Sequence, residues 1–302
     1  MMNKSVIELP GGYVDARGII HREAEILPLS GFDEELLANH QNSESTSLVT
    51  LVLSRCVMRI GNISPVSGQL ISDLLVADRQ YLLLKLREAT FGDRINANLF
   101  CPWPDCGKRI GMEFSTHDIP VINSKDKGPA FTMELSPDAA FAGDNGESFT
   151  EVQFRLPNGN DQETVSPLLA DNESKALALL LGRCIMKIGP INNPAQEVIQ
   201  KLSPLARFEI EKKMEDIGPK VELDMETSCP ECDREFAVPF DLQDFIFGEL
   251  RTDLDLLYRE IHYLAYHYHW GEREIMEMPR EKRRRYIEVL ADEIEKLNNA
   301  AD

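Results

Sequence analysis

RCVMRIG, residues 55–61, returns as RCIMKIG, residues 183–189, an offset of 128 residues that decides how the chain divides. Working outward in the same register, Gly31 and Asp33 fall on Gly159 and Asp161, so SGFDEELL (30–37) lies over NGNDQETV (158–165). Cys56 falls on Cys184, Arg79 on Arg207 and Cys101 on Cys229, after which CPWPDC is two residues longer than CPEC and the offset drops to 126. One register held over 70 residues marks an internal repeat.

Each half reads as the same order of elements. Ile19 to Leu27 and Ser148 to Leu156 look like strands ending in Pro and Gly turns. Leu48, Leu51, Val52 and Cys56 sit near helical spacing, which predicts a helix over Ser47–Ile60 with Gly61 as its C-cap. A second helix is expected from about Asp78, and another strand over Ala130–Leu135. NANLF alternates into Cys101 and VELDMETS into Cys229, which puts each cysteine pair at a hairpin tip. The expected fold class is α+β: two tandem related units, 1–125 and 126–248, followed by a helical segment over 249–302.

The hairpin tips carry the strongest chemical signal in the chain. A short turn between two cysteines aims both sulfurs at one point while backbone N–H groups donate to them, which suits a tetrahedral thiophilic metal. Each knuckle supplies two ligands, so Cys101, Cys106, Cys229 and Cys232 are expected to bind one zinc between the halves, with iron as second choice. Four thiolates leave no coordination position for water, so such a zinc is structural and not catalytic. The competing readings are two local disulfides or reduced cysteines in ordinary turns. Cys56 and Cys184 lie among Leu, Met and Ile and read as core residues.

After Gly248 the composition changes. Leu254, Leu257, Ile261, Leu264, Ala265 and Tyr268 form one helical stripe, Gly271 breaks the helix, a short one follows, and Pro279 opens another. This is a helical hairpin. His262, His267 and His269 read as packing partners of aromatic neighbours more readily than as metal ligands. The run Arg280–Arg285 reads as a solvated face or as a docking patch for an acidic segment. Aromatic residues and Arg are enriched in interface hot spots, which marks Tyr263, Tyr266, Trp270, Arg283, Arg284 and Arg285 as a candidate partner surface.

Composition narrows the function. A 302-residue chain that is 43% hydrophobic can bury a sizeable core, and 32 basic against 51 acidic residues leave a formal charge of −19. Such a field repels phosphate, which disfavours nucleic-acid binding, and VELDMETSCPECDREF around the second knuckle is itself acidic. No signal peptide or bilayer-length apolar run is visible, so a cytoplasmic protein with no membrane partner is expected. No G-x-S-x-G elbow, Walker loop, H-E-x-x-H helix or Rossmann glycine pattern occurs, so neither catalysis nor a small-molecule substrate is expected.

The runs LPGGYVDARGIIHREAEILPLSGFDEELLA (9–38), ADRQYLLLKLREATFGDRINANLFCPWPDCG (77–107) and IHYLAYHYHWGEREIMEMPREKRRRY (261–286) resemble T-even-phage-type baseplate hub assembly chaperones, encoded with contractile phage tails and contractile injection systems. The knuckle with its preceding TFGD is the most specific part, and CPWPDC departs from the usual two-residue spacing. The resemblance implies help in assembling the baseplate hub, with hub, spike or tape-measure proteins as partners. The alternatives are a structural baseplate subunit retained in the particle and, less favoured, a zinc-ribbon nucleic-acid binder.

Overall fold

The computed structural model describes residues 4–40, 45–125, 128–143, 146–169, 171–239, 242–249 and 254–301. β1 (Ser5–Val14) and β2 (Ile20–Ile26) form an antiparallel hairpin, and β3 (Val57–Ile60) pairs with the other edge of β2. α1 (Gly31–Asn39) and α2 (Ser45–Cys56) connect β2 to β3. The helix expected to run to Ile60 therefore ends at Cys56. A short apolar run is ambiguous between helix and strand, and here pairing decides: Val57 meets Ile26 and Ile60 meets Ala24, while the Cys56 carbonyl accepts from Leu27 N–H. Gly61 is not a helix cap but the turn residue after β3. Its φ is +55°, and a Cβ there would lie 2.2 Å from His21 Nδ1.

α3 (Gly68–Asp73) and α4 (Val76–Phe91) follow, then the hairpin of β4 (Arg94–Phe100) and β5 (Arg109–Ser115) and the short β6 (Val121–Ile122). α4 closes the first core, where Leu82 and Leu83 meet Leu9, Ile26, Leu53 and Ile60. Its Asp78 also explains the Pro-Gly-Gly in β1. The register of β1 and β2 slips between Glu8 and Tyr13, turning the N–H groups of Gly11 and Gly12 to the buried Asp78 carboxylate at 2.7 and 2.9 Å. Burial pushes the Asp78 carboxyl up to about 6 against the pull of those two bonds. A carboxyl whose pKa is higher folded than unfolded takes up a proton on folding, so stability falls as pH rises from 3.8 through about 6. Asp78→Asn should flatten this part of the profile. Urea midpoints across that range check it, and an unchanged slope in the variant would assign the dependence elsewhere.

The second half repeats the order. β7 (Phe131–Glu134), the two-residue pair β8 (Phe141–Ala142) and β9 (Ser148–Phe149), and β10 (Glu151–Phe154) lead into α5 (Gly159–Leu169) and α6 (Glu173–Cys184). β11 (Ile185–Ile188) pairs with β10 as β3 does with β2: Val152 faces Ile188, Gln153 faces Lys187 and Phe154 faces Ile185, with the same register slip. Gly189 has φ +52° with Phe149 against it, as Gly61 has His21. The recurring Arg and Cys have matching tasks. Ser30 and Asn158 N–H donate to Asp33 and Asp161, which fold back as capping carboxylates and accept from Arg55 Nε and Arg183 Nε at the ends of α2 and α6. Cys56 and Cys184 are buried beneath these groups. Burial, and next the adjacent Asp, raises both thiols, Cys184 to about 12, as expected of packing residues.

β12 (Ile191–Asn192) completes the sheet β12-β11-β10-β7, and α7 (Gln196–Gln200) and α8 (Pro204–Ile217) cover the second core around Phe154, Leu181, Ile188 and Ile210. The chain then returns to the first half. β13 (Lys220–Val221) pairs with β6, β14 (Asp224–Ser228) with β15 (Glu235–Pro239) makes the second knuckle hairpin, and α9 (Leu242–Glu249) inserts Leu242 and Ile246 into the first core. Core membership thus does not follow the 126–248 span. α10 (Leu254–Tyr268), α11 (Glu272–Met276) and α12 (Arg280–Ala301) form the C-terminal helical hairpin with a small core of Leu257, Ile261, Leu264, Ile275 and Met276. No helix among the described residues is long and apolar enough to cross a membrane.

Candidate metal centre

Two hairpins far apart in sequence deliver the four knuckle thiols to one place. Cys101 Sγ lies 3.8 Å from Cys232 Sγ, Cys106 Sγ lies 3.7 Å from Cys229 Sγ, and all four sulfurs fall within 4.8 Å of one another. A tetrahedron with metal–sulfur bonds of about 2.3 Å has edges of about 3.8 Å. The group can therefore hold a metal ion. All six cysteines are free thiols, and the close pairs run between hairpins, which sets aside the reading of two local disulfides. Ile110 and Phe236 pack against the sulfurs, with Cys101 and Cys229 buried and Cys106 and Cys232 half-buried.

The longer first knuckle reaches the same geometry as the shorter one. Cys101 N–H donates to the Lys108 carbonyl and Cys229 N–H to that of Arg234, while Gly107 and Asp233, each following the second cysteine, take φ of +56° and +55°. The two extra residues of CPWPDC are absorbed before Cys106, where the Cys106 and Gly107 N–H groups both reach the Trp103 carbonyl. Reciprocal ion pairs cross the site: Lys108 meets Glu231 and Arg234 meets Asp105, with the Arg234 guanidinium 5.0 Å from the Trp103 ring centre. In each knuckle the acid stands just before the second cysteine and the base two residues after it. Each knuckle thus offers the other the same acid and base at matching positions.

The thiols are unequal. Burial pushes Cys101 up to about 12, whereas for Cys229 the burial cost is outweighed by N–H groups of Glu231 and Cys232 and by neighbouring thiols, leaving it at about 7. The other singled-out residues stand apart from this centre. Cys56 lies in the first core and Cys184 is buried at the end of α6 beside Asp161, and among the described residues the histidines of α10 join no metal-holding group. His262 stacks on Tyr266 and Tyr263 on His267 along α10.

Of the candidate partner surface, Tyr263 and Tyr266 are 51% and 68% exposed, and Arg284 and Arg285 are exposed. Trp270 instead packs inside the hairpin, stacked on Tyr268 at 4.7 Å and edge-on to Tyr286 at 4.8 Å. Arg283 corrects the reading of a solvent-facing run. It is 0% exposed and paired with Glu34 of α1 and Glu260 of α10, with Nη1 on the Met278 carbonyl at 2.8 Å. Nothing local distinguishes it from Arg284 and Arg285; the carboxylates of Glu34 and Glu260 on two other helices do.

A family model described as T4 bacteriophage base plate protein matches residues 1–247, which span both knuckle hairpins and both cores. The chain belongs to the T4 baseplate protein family. The tail of this baseplate protein, residues 250–302, matches a second model, of a family of unknown function. No curated protein and no solved structure matches the chain. Membership fits a role among other baseplate components.

Proposed function

We propose that this baseplate protein is a non-enzymatic assembly chaperone for the baseplate hub of a contractile, phage-tail-like injection system. It would act in the cytoplasm of the producing cell on hub, spike or tape-measure proteins, without binding nucleic acid, membrane or a small-molecule substrate. The match of residues 1–247 to the baseplate family carries this reading. We further propose that the metal is zinc and that it clamps two tandem duplicated units. Four thiolates with edges of a zinc–sulfur tetrahedron favour zinc, and a closed first shell gives it a structural role. The matching registers of β2–β3 and β10–β11 support the duplication. The family description, which names a baseplate protein, favours a second reading, a subunit retained in the particle. Mass spectrometry of purified sheathed particles beside the producing lysate separates them. A chaperone is abundant in the lysate and missing from particles; a constant stoichiometric presence in particles overturns the chaperone reading in favour of the subunit.

A further inference from the structure

The same docking joint occurs twice in this chain. In the first instance the turn between α3 and α4 seats on the N-terminus of α5: Leu75 bridges Asn158, Gly159 N–H donates to the Leu74 carbonyl, and Arg79, four residues after the bridging Leu75, reaches Glu163. Arg79 is 1% exposed, and it fits because position 159 is glycine. A Cβ there would lie 1.5 Å from Arg79 Nη1. In the second instance the turn between α11 and α12 seats on the N-terminus of α1. Pro279 bridges Ser30, and Arg283, again four residues later, pairs with Glu34. Gly31 gives way to Met276, whose Sδ would lie 2.8 Å from a Cβ. Both receivers are a Ser or Asn, then Gly, a variable residue and Asp, with a Glu three or four residues after the Gly.

A third copy of the inserting turn stands between α7 and α8. At the 128-residue offset Ser203 takes the place of Leu75 and Arg207 that of Arg79. Its surroundings differ in one respect. Ala77 is buried against the rest of the chain, but its counterpart Leu205 is 42% exposed, and Phe208, the counterpart of Gln80, is 58% exposed. Arg207 Nη2 donates to the Gln200 carbonyl within its own turn, whereas Arg79 reaches across to a carboxylate. The third turn presents a guanidinium flanked by two exposed apolar side chains, where the first turn has buried Ala77 and half-buried Gln80 and the second has the charged, exposed Glu281 and Arg284.

We propose that the α7–α8 turn, through Leu205, Arg207 and Phe208, docks a partner protein by a helix N-terminus of the receiver type, with Gly at its first turn and a Glu to meet Arg207. Two seated examples within one chain define that chemistry, and the pairing is complementary in charge as well as shape. The partner is not another intact copy, because both receivers of each copy are filled in cis, where tethering gives the resident turn a millimolar-order effective concentration. A turn that seats on a different surface makes a head-to-tail contact, which propagates unless something closes it. By filling the receiver on α1, the C-terminal hairpin closes the series at one end and leaves α7–α8 as the outgoing end. This contact serves a chaperone and a retained subunit equally.

A receiver-opened copy of this chain is the probe. The full-length double variant Arg283→Glu, Phe208→Asp repels Glu34 and Glu260, so it exposes the α1 receiver while lacking its own inserting face. Arg283→Gln, Phe208→Asp is a gentler second opening variant, and circular dichroism confirms the fold of each. Mixed with the unaltered chain, an opened variant should give a 1:1 complex of twice the chain mass in sedimentation velocity. That complex should weaken at least about tenfold when the unaltered chain carries Arg207→Ala or Phe208→Asp. In parallel, a labelled peptide of residues 28–40 should bind the unaltered full-length chain and lose binding in the same two variants. Binding in either format that depends on Arg207 and Phe208 supports the proposal. Binding in neither, or binding indifferent to those substitutions, overturns it, and leaves the particle result that tests the chaperone reading untouched.

Discussion

Replacing Cys229 and Cys232 together by Ser is expected to take the protein from about one equivalent of zinc per chain to none and to loosen both knuckle hairpins, not only the second. Each hairpin contributes two of the four sulfurs, and the sulfur pairs closest to one another, Cys101 with Cys232 and Cys106 with Cys229, cross between hairpins. With one pair removed, the other retains two ligands, too few for a structural site. Structural zinc in small domains contributes roughly 10–16 kcal/mol of apparent binding energy, comparable with the ~5–15 kcal/mol stability of a whole domain. The cross-site ion pairs Lys108–Glu231 and Arg234–Asp105 are largely exposed and cannot substitute for it. Elemental analysis of protein purified without added metal gives the stoichiometry, and hydrogen exchange over residues 94–115 gives the coupling. Unchanged protection in β4 and β5 of the double variant would rule out a shared centre.

Arg283→Ala should be the most destabilising single change in the basic run, by about 3–5 kcal/mol, because it removes the buried guanidinium that pairs with both Glu34 and Glu260. Arg280 approaches Glu34 only to 3.8 Å and is itself held in a partly buried position where desolvation lowers its pKa, so it offers partial relief and places the effect near the lower bound. The loss should be directional. α10 and α12 undock from α1 first, since Arg283 is the buried group that pairs with both Glu34 on α1 and Glu260 on α10, and the core of Leu82, Leu53 and Ile60 opens later. Arg285→Ala, at an exposed site, should change stability by no more than about 0.5 kcal/mol. Urea denaturation of the two variants, with hydrogen exchange read at residues 254–301, makes the comparison. Equal stability of the two would mean that the ion pair at Glu34 contributes nothing.

Truncation of the C-terminal hairpin carries the same consequence. Taken as a client surface, the hairpin is dispensable to the remaining fold; with Arg283 seated on Glu34, its removal takes both Arg280 and Arg283 away from a buried carboxylate on α1. Tyr263 and Tyr266 remain on the outside of α10, so the aromatic part of the candidate surface is open to a partner while its basic part is divided between exposed Arg284 and Arg285 and buried Arg283.

What depends on short-range pattern was legible in the order of residues. The offset between RCVMRIG and RCIMKIG, the alternation into each cysteine pair, the Gly271 break and the Pro279 restart are all local, and they suffice to name the α+β class, the knuckle hairpins and the C-terminal helical hairpin. The four clustered cysteines, which could hold a metal ion, belong here too, because their spacing is itself the chemical signal. Tertiary structure alone decided where identical local patterns part. Val57–Ile60 has the periodicity of a continuing helix but becomes strand, because β2 offers an open row of N–H and C=O groups beside it. α9 follows the second knuckle in sequence yet fills the first core, where Leu242 and Ile246 find apolar neighbours. Arg283, Arg284 and Arg285 are one residue type in succession, and the positions of Glu34 on α1 and Glu260 on α10 determine which of them is buried. Periodicity reports which face of an element is apolar; which distant surface covers that face depends on contacts between residues that share no local signature.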